Sequence, residues 1–172
     1  QEVRALMERE PFYRLWGSMQ RCSQEMLWTS VGESVMRQLP ALSETATSWQ
    51  APKGSLSLDP SLEPPAYLTA IDIHCMPGGY ASEIDGNDIA QGAIYDRGVY
   101  LYAMGYMGPD NDDMGRSVCN YVKRKVPGFQ PKRILDMGCT VGHSTVPFKE
   151  QFPDAEVIGI DVGGPCVRYA HA

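Results

Sequence analysis

The sequence has no long hydrophobic run. None of its apolar stretches approaches the roughly 20 residues needed to cross a bilayer, so we exclude an integral membrane protein and expect no membrane partner. Its first residues lack a basic start followed by an apolar core, so no secretory signal peptide is recognisable. The five cysteines are widely spaced and form no CxxC pair, which argues against a disulfide framework or a zinc knuckle. Scattered thiols are typical of a reducing compartment, and we expect a cytoplasmic protein.

Basic charge is also scarce. The chain carries 15 basic and 21 acidic residues, a net charge of -6, and Arg97 is the only base between residues 59 and 113. Such a chain repels phosphate backbones, so we expect no nucleic-acid partner. The one basic run, residues 123–125, lies at the predicted end of a helix, where cations complement the helix dipole. His74 beside Cys75 has no further ligands in the sequence, and we predict no metal site.

The length of 172 residues suits one domain with an appendage. The chain begins with Gln1 rather than Met and stops at Ala172, inside what resembles the first turns of a helix. We interpret the chain as a fragment of a longer protein.

Apolar spacing predicts helices in the N-terminal part. Residues 2–9 form a first amphipathic segment, and a second helix starts at Pro11. Ser30 with Glu33 matches a capping box and predicts a new helix start, and Pro40 is expected to end that helix. The stripe of methionine and aromatic residues on these helices predicts core packing, with a partner-binding helix as the alternative. Its members are Phe12, Leu15, Trp16, Met19, Cys22, Met26 and Leu27.

The middle of the chain alternates between loops and helices. Residues 43–66, which include Pro52, are rich in Ser, Thr, Pro, Gly and Ala and predict a loop or linker. Residues 67–75 alternate loosely and predict a short strand, followed by a turn at 76–79. Asp88 is expected to cap a helix that runs to about residue 104, and Asp112 or Asp113 to cap the next. Their predicted inward faces are Tyr95, Val99, Tyr102 and Tyr106 on the first and Val118, Tyr121 and Val122 on the second.

From residue 131 onward the pattern changes to strand, glycine loop, helix and strand. Ile134 and Leu135 form a short apolar run that ends in Asp136, and a loop of small residues follows at 138–142. Residues 143–151 predict a helix and residues 155–160 a second apolar strand, which ends at Asp161. This order predicts a βαβ unit with parallel strands and a right-handed crossover.

The residue types at this point favour nucleotide binding. Gly138 and Gly142 permit positive φ angles and a close approach of the backbone to a ligand. Helix N-terminal amides face the same place, beyond the carboxyl ends of the strands. Asp161 stands 23 residues after Gly138 at the tip of the neighbouring strand, where a carboxylate can accept both hydroxyls of a ribose.

The glycine pattern distinguishes between nucleotides. The dinucleotide fingerprint GxGxxG, started at Gly138, requires glycine where the sequence has Thr140 and His143. The pattern that fits is D-x-G-x-(G/T)-x-G, with Asp136 two residues before the first glycine. The segments ILDMGCTVG and VIGIDV resemble the first two motifs of the class I S-adenosylmethionine-dependent methyltransferases. Thr140 stands where that family usually has its middle glycine.

The resemblance implies a Rossmann-like α/β methyltransferase fold, of which this chain holds only the first two of seven strands. The implied organisation is N-terminal helices at 1–50, a linker at 51–66, a mixed, mainly helical cap at 67–127, and the truncated start of an S-adenosylmethionine-binding domain at 128–172. The cap helices of such families often cover the pocket, and Tyr95 or Tyr100 is the candidate for a lid.

The resemblance also assigns roles to individual residues. Asp136 is expected to orient the loop and help hold the methionine part, and Asp161 to bind the ribose hydroxyls. The other expected contacts, around the methionine, ribose and adenine, are Gly138, Cys139, Thr140, Gly142 and Val162. The implied cofactor is S-adenosylmethionine and the implied acceptor a small organic molecule. Methyl transfer depends mainly on proximity and alignment, so we name no catalytic acid or base. His143 is expected to act in packing or capping, and Cys139 to be a small apolar residue without a redox role.

Two other functions remain open. One is a non-catalytic module that keeps the nucleotide cleft, and the other is an NAD-dependent Rossmann enzyme, which Thr140 and His143 disfavour. Two parallel strands cannot bury both faces of their sheet, so we expect residues 1–172 alone to be marginally stable and inactive.

Overall fold

The structure, a computed structural model, describes residues 2–48 and 54–172. Its helices are α1 (Glu2–Met7), α2 (Pro11–Ser48), α3 (Ala66–Thr69), α4 (Ala90–Tyr102), α5 (Asp113–Lys125), α6 (Thr145–Gln151) and α7 (Gly164–His171), with a 3₁₀ turn at Ile73–Cys75. Its strands are β1 (Arg133–Met137) and β2 (Glu156–Ile160). A mainly helical N-terminal part therefore precedes a small α/β unit, as the sequence predicts.

The βαβ unit is confirmed. β1 and β2 pair in parallel, with Arg133 opposite Glu156 and Met137 opposite Ile160. The connection between them contains the glycine turn 138–142 and α6. Parallel pairing brings the carboxyl ends of both strands to one edge of the sheet, next to that turn. The arrangement is compatible with the first part of a Rossmann-like fold.

The predicted helix boundaries within residues 11–48 are wrong, because α2 is one continuous helix of 38 residues. It runs through Ser30, which caps nothing, and through Pro40, which lies inside the helix. An interior proline removes one backbone hydrogen bond. Packing of Val31 and Val35 against α4 offsets this local preference, since tertiary contacts override propensity.

The predicted core role of the methionine and aromatic stripe is also wrong for the first half of α2. Phe12 is 77% exposed, Trp16 51% and Met19 59%. The core contacts of α2 begin only at Leu27 and Trp28, since the first half of the helix extends past α4. Among the residues that the structure describes, no helix has both the length and the apolar character needed to cross a membrane.

The predicted strand at 67–75 is wrong as well. The segment forms α3 and the 3₁₀ turn, and His74 and Cys75 have φ angles of +56° and +59°. Such angles cannot belong to an extended strand. Residues 54–65 contain no helix or strand, in agreement with the predicted loop, but residues 43–48 are helical. The part of the predicted linker at 51–53, with Pro52, lies outside the described residues.

One hydrophobic core joins α2 to α4. Trp28, Val31 and Val35 of α2 pack with Ala93 and Ile94 of α4, and the fully buried Met76 closes the cluster. α4 approaches α2 so closely that a Cβ at position 98 would collide with the Trp28 ring. Gly98 is therefore required by packing.

A second core lies on one face of the sheet. Cys119 of α5 packs with Phe152 and Ala155, and Ile134 and Val157 of the strands complete it. Two of the three predicted inward positions on α5 are wrong, since Val118 is 48% and Tyr121 55% exposed and Cys119 is buried instead. The third, Val122, is half-buried. The same correction applies to two of the tyrosines predicted to face inward from the preceding helix, Tyr102 and Tyr106.

The other face of the sheet is exposed. Leu135 and Met137 of β1 lie in register with Ile158 and Ile160 of β2, and all four side chains are at least 37% exposed. The expectation that two parallel strands leave one apolar face uncovered is confirmed for the described part of the chain.

Candidate functional site

The turn after β1 has the left-handed backbone that its glycines predict. Gly138, Thr140 and Gly142 have φ angles of +77°, +45° and +85°. The amides of Gly138 and Cys139 donate to the carbonyl of Ile160 at 2.8 and 3.1 Å, which ties the turn to the end of β2. Nothing lies within 4 Å of a Cβ placed at Gly138. The turn is thus fixed at its start and open to a ligand there.

Thr140 is the strained member of the turn. A β-branched residue in the left-handed region costs about 1–2 kcal/mol relative to the right-handed region. Its amide donates a 2.9 Å hydrogen bond to Asp161 Oδ2, which holds the backbone in this conformation. The departure from glycine at this position is therefore tolerated with the help of the carboxylate that follows β2.

Asp161 points toward the turn. Its Oδ2 accepts from the Thr140 amide and its Oδ1 accepts from the Gly163 amide at 2.8 Å. An ionised carboxylate has about four lone-pair positions, so each oxygen retains capacity for a further donor. The half-buried carboxylate lies at the tip of β2, beside the open turn. This geometry suits a ligand with two neighbouring hydroxyl groups.

Asp136 faces the start of α6. Its Oδ2 accepts a 2.6 Å hydrogen bond from the hydroxyl of Thr145, the first residue of that helix. The carboxylate therefore helps to fix the angle at which the chain leaves the turn. Val162 lies just beyond Asp161 and is 37% exposed.

Cys139 is buried under the turn. Burial, with the nearby carboxylates of Asp161 and Asp136, raises the pKa of its thiol to about 11. The side chain is a neutral thiol at neutral pH, which agrees with its expected behaviour as a small apolar residue. A Cβ at Gly159 of β2 would lie 3.0 Å from the Cys139 sulfur. Gly159 thus makes room for the turn, a requirement that the sequence analysis missed.

Two tyrosines from the helical cap border this site. The Tyr95 ring of α4 stacks on His143 with centroids 5.8 Å apart, and Tyr80 meets Tyr95 edge-on at 5.4 Å. Burial raises the pKa of Tyr95, and the carboxylate of Asp161 is close enough to add to that shift. Tyr95 therefore lies over the turn, whereas Tyr100, the other candidate lid residue, lines a groove between α2 and α4.

The cap also contacts the chain just after β2. The carbonyl of Tyr80 would lie 2.7 Å from a Cβ at Gly163, so only glycine permits this approach. Arg168 of α7 donates to the carbonyl of Asp88 at 2.8 Å and pairs with Glu83 at 2.8 Å. The segment before α4 is thus fastened beside Asp161.

A half-buried carboxylate in the cap is a feature that the sequence analysis missed. Asp96 of α4 accepts from His143 Nε2 at 2.8 Å and from the Tyr169 hydroxyl at 2.9 Å. The sequence offered one indication: Asp96 stands one helical turn after Gly92, and a glycine on a helix face indicates that this face approaches another element closely. His143 is therefore a packing residue, as expected, but its partner comes from the cap.

Within residues 2–48 and 54–172, no group of three or more metal-ligating side chains is gathered. All five cysteines are free thiols. The polar groups that the structure brings to the turn are instead backbone amides and the two carboxylates of Asp136 and Asp161. Such groups suit an organic ligand with hydroxyl and amino groups.

Curated proteins named trans-aconitate 2-methyltransferase are similar to part of the chain. The protein from Rhodopseudomonas palustris (strain HaA2) is 39% identical over 46 residues, which is 27% of this chain and 18% of that protein. The protein from Methylobacterium radiotolerans is 42% identical over 48 residues, 28% of this chain and 18% of that protein. A second R. palustris protein, from strain BisB5, is 39% identical over 46 residues.

The similarity is short. The match spans 18% of the length of the curated relatives. No protein-family model matches the chain, and no solved structure gives a significant match. The comparisons therefore support methyl transfer in general terms, over a limited segment.

Proposed function

We propose that the protein transfers a methyl group from S-adenosylmethionine to a small-molecule acceptor, and that its βαβ unit begins a class I methyltransferase domain. The observation that carries this proposal is the position of Asp161. Its carboxylate stands at the tip of β2 and faces the left-handed turn through the Thr140 amide. A ribose placed there can donate hydrogen bonds from its two hydroxyls to this carboxylate, and the turn can contact the rest of the ligand.

The residues around the turn fit this cofactor. The open side of Gly138 leaves room for the backbone to approach a ligand. Asp136 and Thr145 hold the start of α6, so the turn is set by hydrogen bonds before the ligand arrives. In this proposal Gly138, Cys139, Thr140 and Gly142 surround the methionine and ribose side, and Val162 lies against the adenine.

Methyl transfer from a sulfonium does not depend on a catalytic acid or base in the protein. When bound, S-adenosylmethionine supplies a methyl group on a sulfonium that is already activated. The protein then contributes by holding donor and acceptor in line, which is worth up to about 7–11 kcal/mol of the barrier in well-oriented systems. Asp161 fixes the ribose end, and the turn orients the sulfonium. Tyr95 and Tyr80 cover the turn from the cap and limit the access of water.

The acceptor is proposed to be a small organic molecule. The acidic middle of the chain favours neither nucleic acid nor an anionic membrane surface. The names of the similar proteins make trans-aconitate the first acceptor to test. A carboxylate acceptor is already nucleophilic when ionised, which is consistent with a site in which we assign no general base.

Calorimetry with the full-length protein tests the cofactor. We expect heat of binding with S-adenosylhomocysteine and none with NAD. Binding of NAD alone would overturn the proposal in favour of a dinucleotide enzyme. Binding of neither would overturn any nucleotide function for this turn.

Transfer of a labelled methyl group tests the reaction itself. Incubation with methyl-labelled S-adenosylmethionine and a panel of carboxylic acids, with trans-aconitate first, is expected to yield a labelled small molecule. Binding of S-adenosylhomocysteine together with the absence of transfer to every acceptor and to cell extract would favour the non-catalytic module.

A further inference from the structure

Asp96 gathers donors from three separate parts of the chain. His143 Nε2 and Asn111 Nδ2 donate to Oδ1 at 2.8 and 3.1 Å, and the Tyr169 hydroxyl donates to Oδ2 at 2.9 Å. The Asp96 side chain is only 15% exposed. Burial acts to raise the pKa of Asp96, but the hydrogen bonds from these three residues outweigh it and lower the pKa. The carboxylate is therefore ionised and fully engaged between the cap and the α/β unit.

Only one of these donors reaches the glycine turn. His143 directly follows Gly142, the last left-handed residue of the turn. Its ring lies between Tyr95, on which it stacks, and the Asp96 carboxylate. Tyr169 lies on α7 and Asn111 in the loop before α5, and neither adjoins the turn in the chain. The Asp96–His143 pair is thus a link between the cap and the turn.

The backbone conformation of the turn is one that needs contacts to hold it in place. Three of its five residues hold left-handed angles, and Thr140 does so at a steric disadvantage. The Ile160 carbonyl anchors its beginning and Asp161 its middle. Asp96, from outside the α/β unit, holds the end of the turn through His143. If the turn relaxes, the fraction of molecules able to receive a ligand falls, and the apparent affinity falls with it.

We propose that Asp96 and His143 form a latch through which the cap holds the turn at 138–142 in its ligand-binding conformation. Asp96 is then a positioning residue for cofactor affinity, acting through His143. This inference rests on the proposed function for its ligand, but the state of the turn is measurable without one.

Two substitutions at one position separate the hydrogen bond from the ring. His143→Phe keeps an aromatic ring to stack on Tyr95 and removes the Nε2 donor. His143→Gln removes the ring and keeps an N–H donor near the same place. We expect the dissociation constant of S-adenosylhomocysteine to rise about tenfold in His143→Phe and in Asp96→Asn, the loss of roughly one hydrogen bond to a charged group. His143→Gln is expected to recover most of the affinity.

Tyr169→Phe is the matched control. It removes one hydrogen bond of similar length from the same carboxylate, but from α7. We expect it to lower Tm about as much as His143→Phe does and to change the dissociation constant by less than about twofold. In the Asp96→Asn/His143→Phe double variant the affinity loss is expected to equal that of either single variant, because both break one link.

Hydrogen exchange at the turn gives a readout that needs no ligand. The Gly142 amide donates to the Cys139 carbonyl at 2.8 Å within the turn. We expect this amide to exchange faster in His143→Phe than in the unmodified protein, and at an unchanged rate in Tyr169→Phe. Equal exchange and equal affinity in His143→Phe and the unmodified protein would overturn the latch.

Equal losses of affinity in Tyr169→Phe and His143→Phe would also overturn the latch, because Asp96 would then act on stability alone. If the unmodified protein does not bind S-adenosylhomocysteine, the proposed function fails. The exchange rate of Gly142 still decides the latch in that case.

Discussion

Replacement of Asp161 by asparagine tests the carboxylate at the centre of the proposed site. The side chain keeps its size, but an amide has one accepting oxygen instead of two. Asp161 accepts one backbone N–H on each oxygen, from Thr140 at 2.9 Å and from Gly163 at 2.8 Å. In either orientation, the new amide group points its own N–H toward one of these donors. One hydrogen bond is lost, and the other has a neutral acceptor in place of a charged one.

The structure sets the size of the effect. A hydrogen bond to a charged group contributes about 1.5–3 kcal/mol to stability. For a protein of about 150–250 residues, a loss of about 2 kcal/mol lowers Tm by roughly 4–8 °C. Because Thr140 holds a strained angle with the help of this bond, the turn itself should loosen. The proposed loss of an acceptor for the ribose hydroxyls should raise the dissociation constant of S-adenosylhomocysteine at least about tenfold, equivalent to about 1.4 kcal/mol.

The assay pairs thermal unfolding with calorimetry in the full-length protein. Asp154→Asn is the control, because Asp154 is an exposed carboxylate in the turn before β2 and the substitution changes charge equally. We expect Asp154→Asn to leave both quantities unchanged. A lower Tm with unchanged affinity in Asp161→Asn would refute the ribose role and leave only a structural one. Unchanged Tm and affinity would refute the hydrogen-bond geometry as well.

Three further predictions concern packing and titration. Gly98→Ala should destabilise the cap by about 1–3 kcal/mol or more in chemical denaturation, because its Cβ would overlap the Trp28 ring. Gly17→Ala lies in an exposed and open part of α2, and this substitution should stabilise the protein by about 0.5–1 kcal/mol. Gly159→Ala should lower Tm, since its Cβ would lie 3.0 Å from Cys139 and displace the turn; an unchanged Tm would contradict the close contact. Burial raises the pKa of Cys139 to about 11 from an ordinary value of 9, so folding favours the protonated thiol. The contribution of this thiol to stability is therefore complete below pH 9 and is lost as the pH rises from 9 through 11. Tm should fall over that range, and it should fall less steeply in Cys139→Ala.

Much of the α/β unit follows from local sequence. The apolar runs at β1 and β2, the small-residue turn between β1 and α6, the acid near the end of β1 and the acid after β2 all lie where the sequence predicts them. The positive φ angles of Gly138 and Gly142 were expected because glycine alone adopts them freely. These features depend on residues close together in the chain.

The helical part was predicted less well. Ser30, Glu33 and Pro40 are ordinary boundary signals, yet α2 continues through all three. The helix contacts of Val31 and Val35 with α4 outweigh these local preferences, and a sequence does not reveal such distant partners. The prediction of a strand at 67–75 was wrong for a related reason. The chain turns there through two residues with positive φ angles, and the side chain of Met76 directly after them is buried in the core.

The sequence by itself determined the strand–turn–helix–strand order and the residue types at its tips, because alternation, glycine and terminal acids act over a few residues. The tertiary structure alone decided that Asp161 turns back toward Thr140 and that Asp96 reaches His143 across 47 residues of chain. The contact of Asp96 with His143 depends on where the cap docks. That docking depends on close approaches at Gly92, to Tyr169, and at Gly163, to Tyr80, and these partners become neighbours only when the chain is folded.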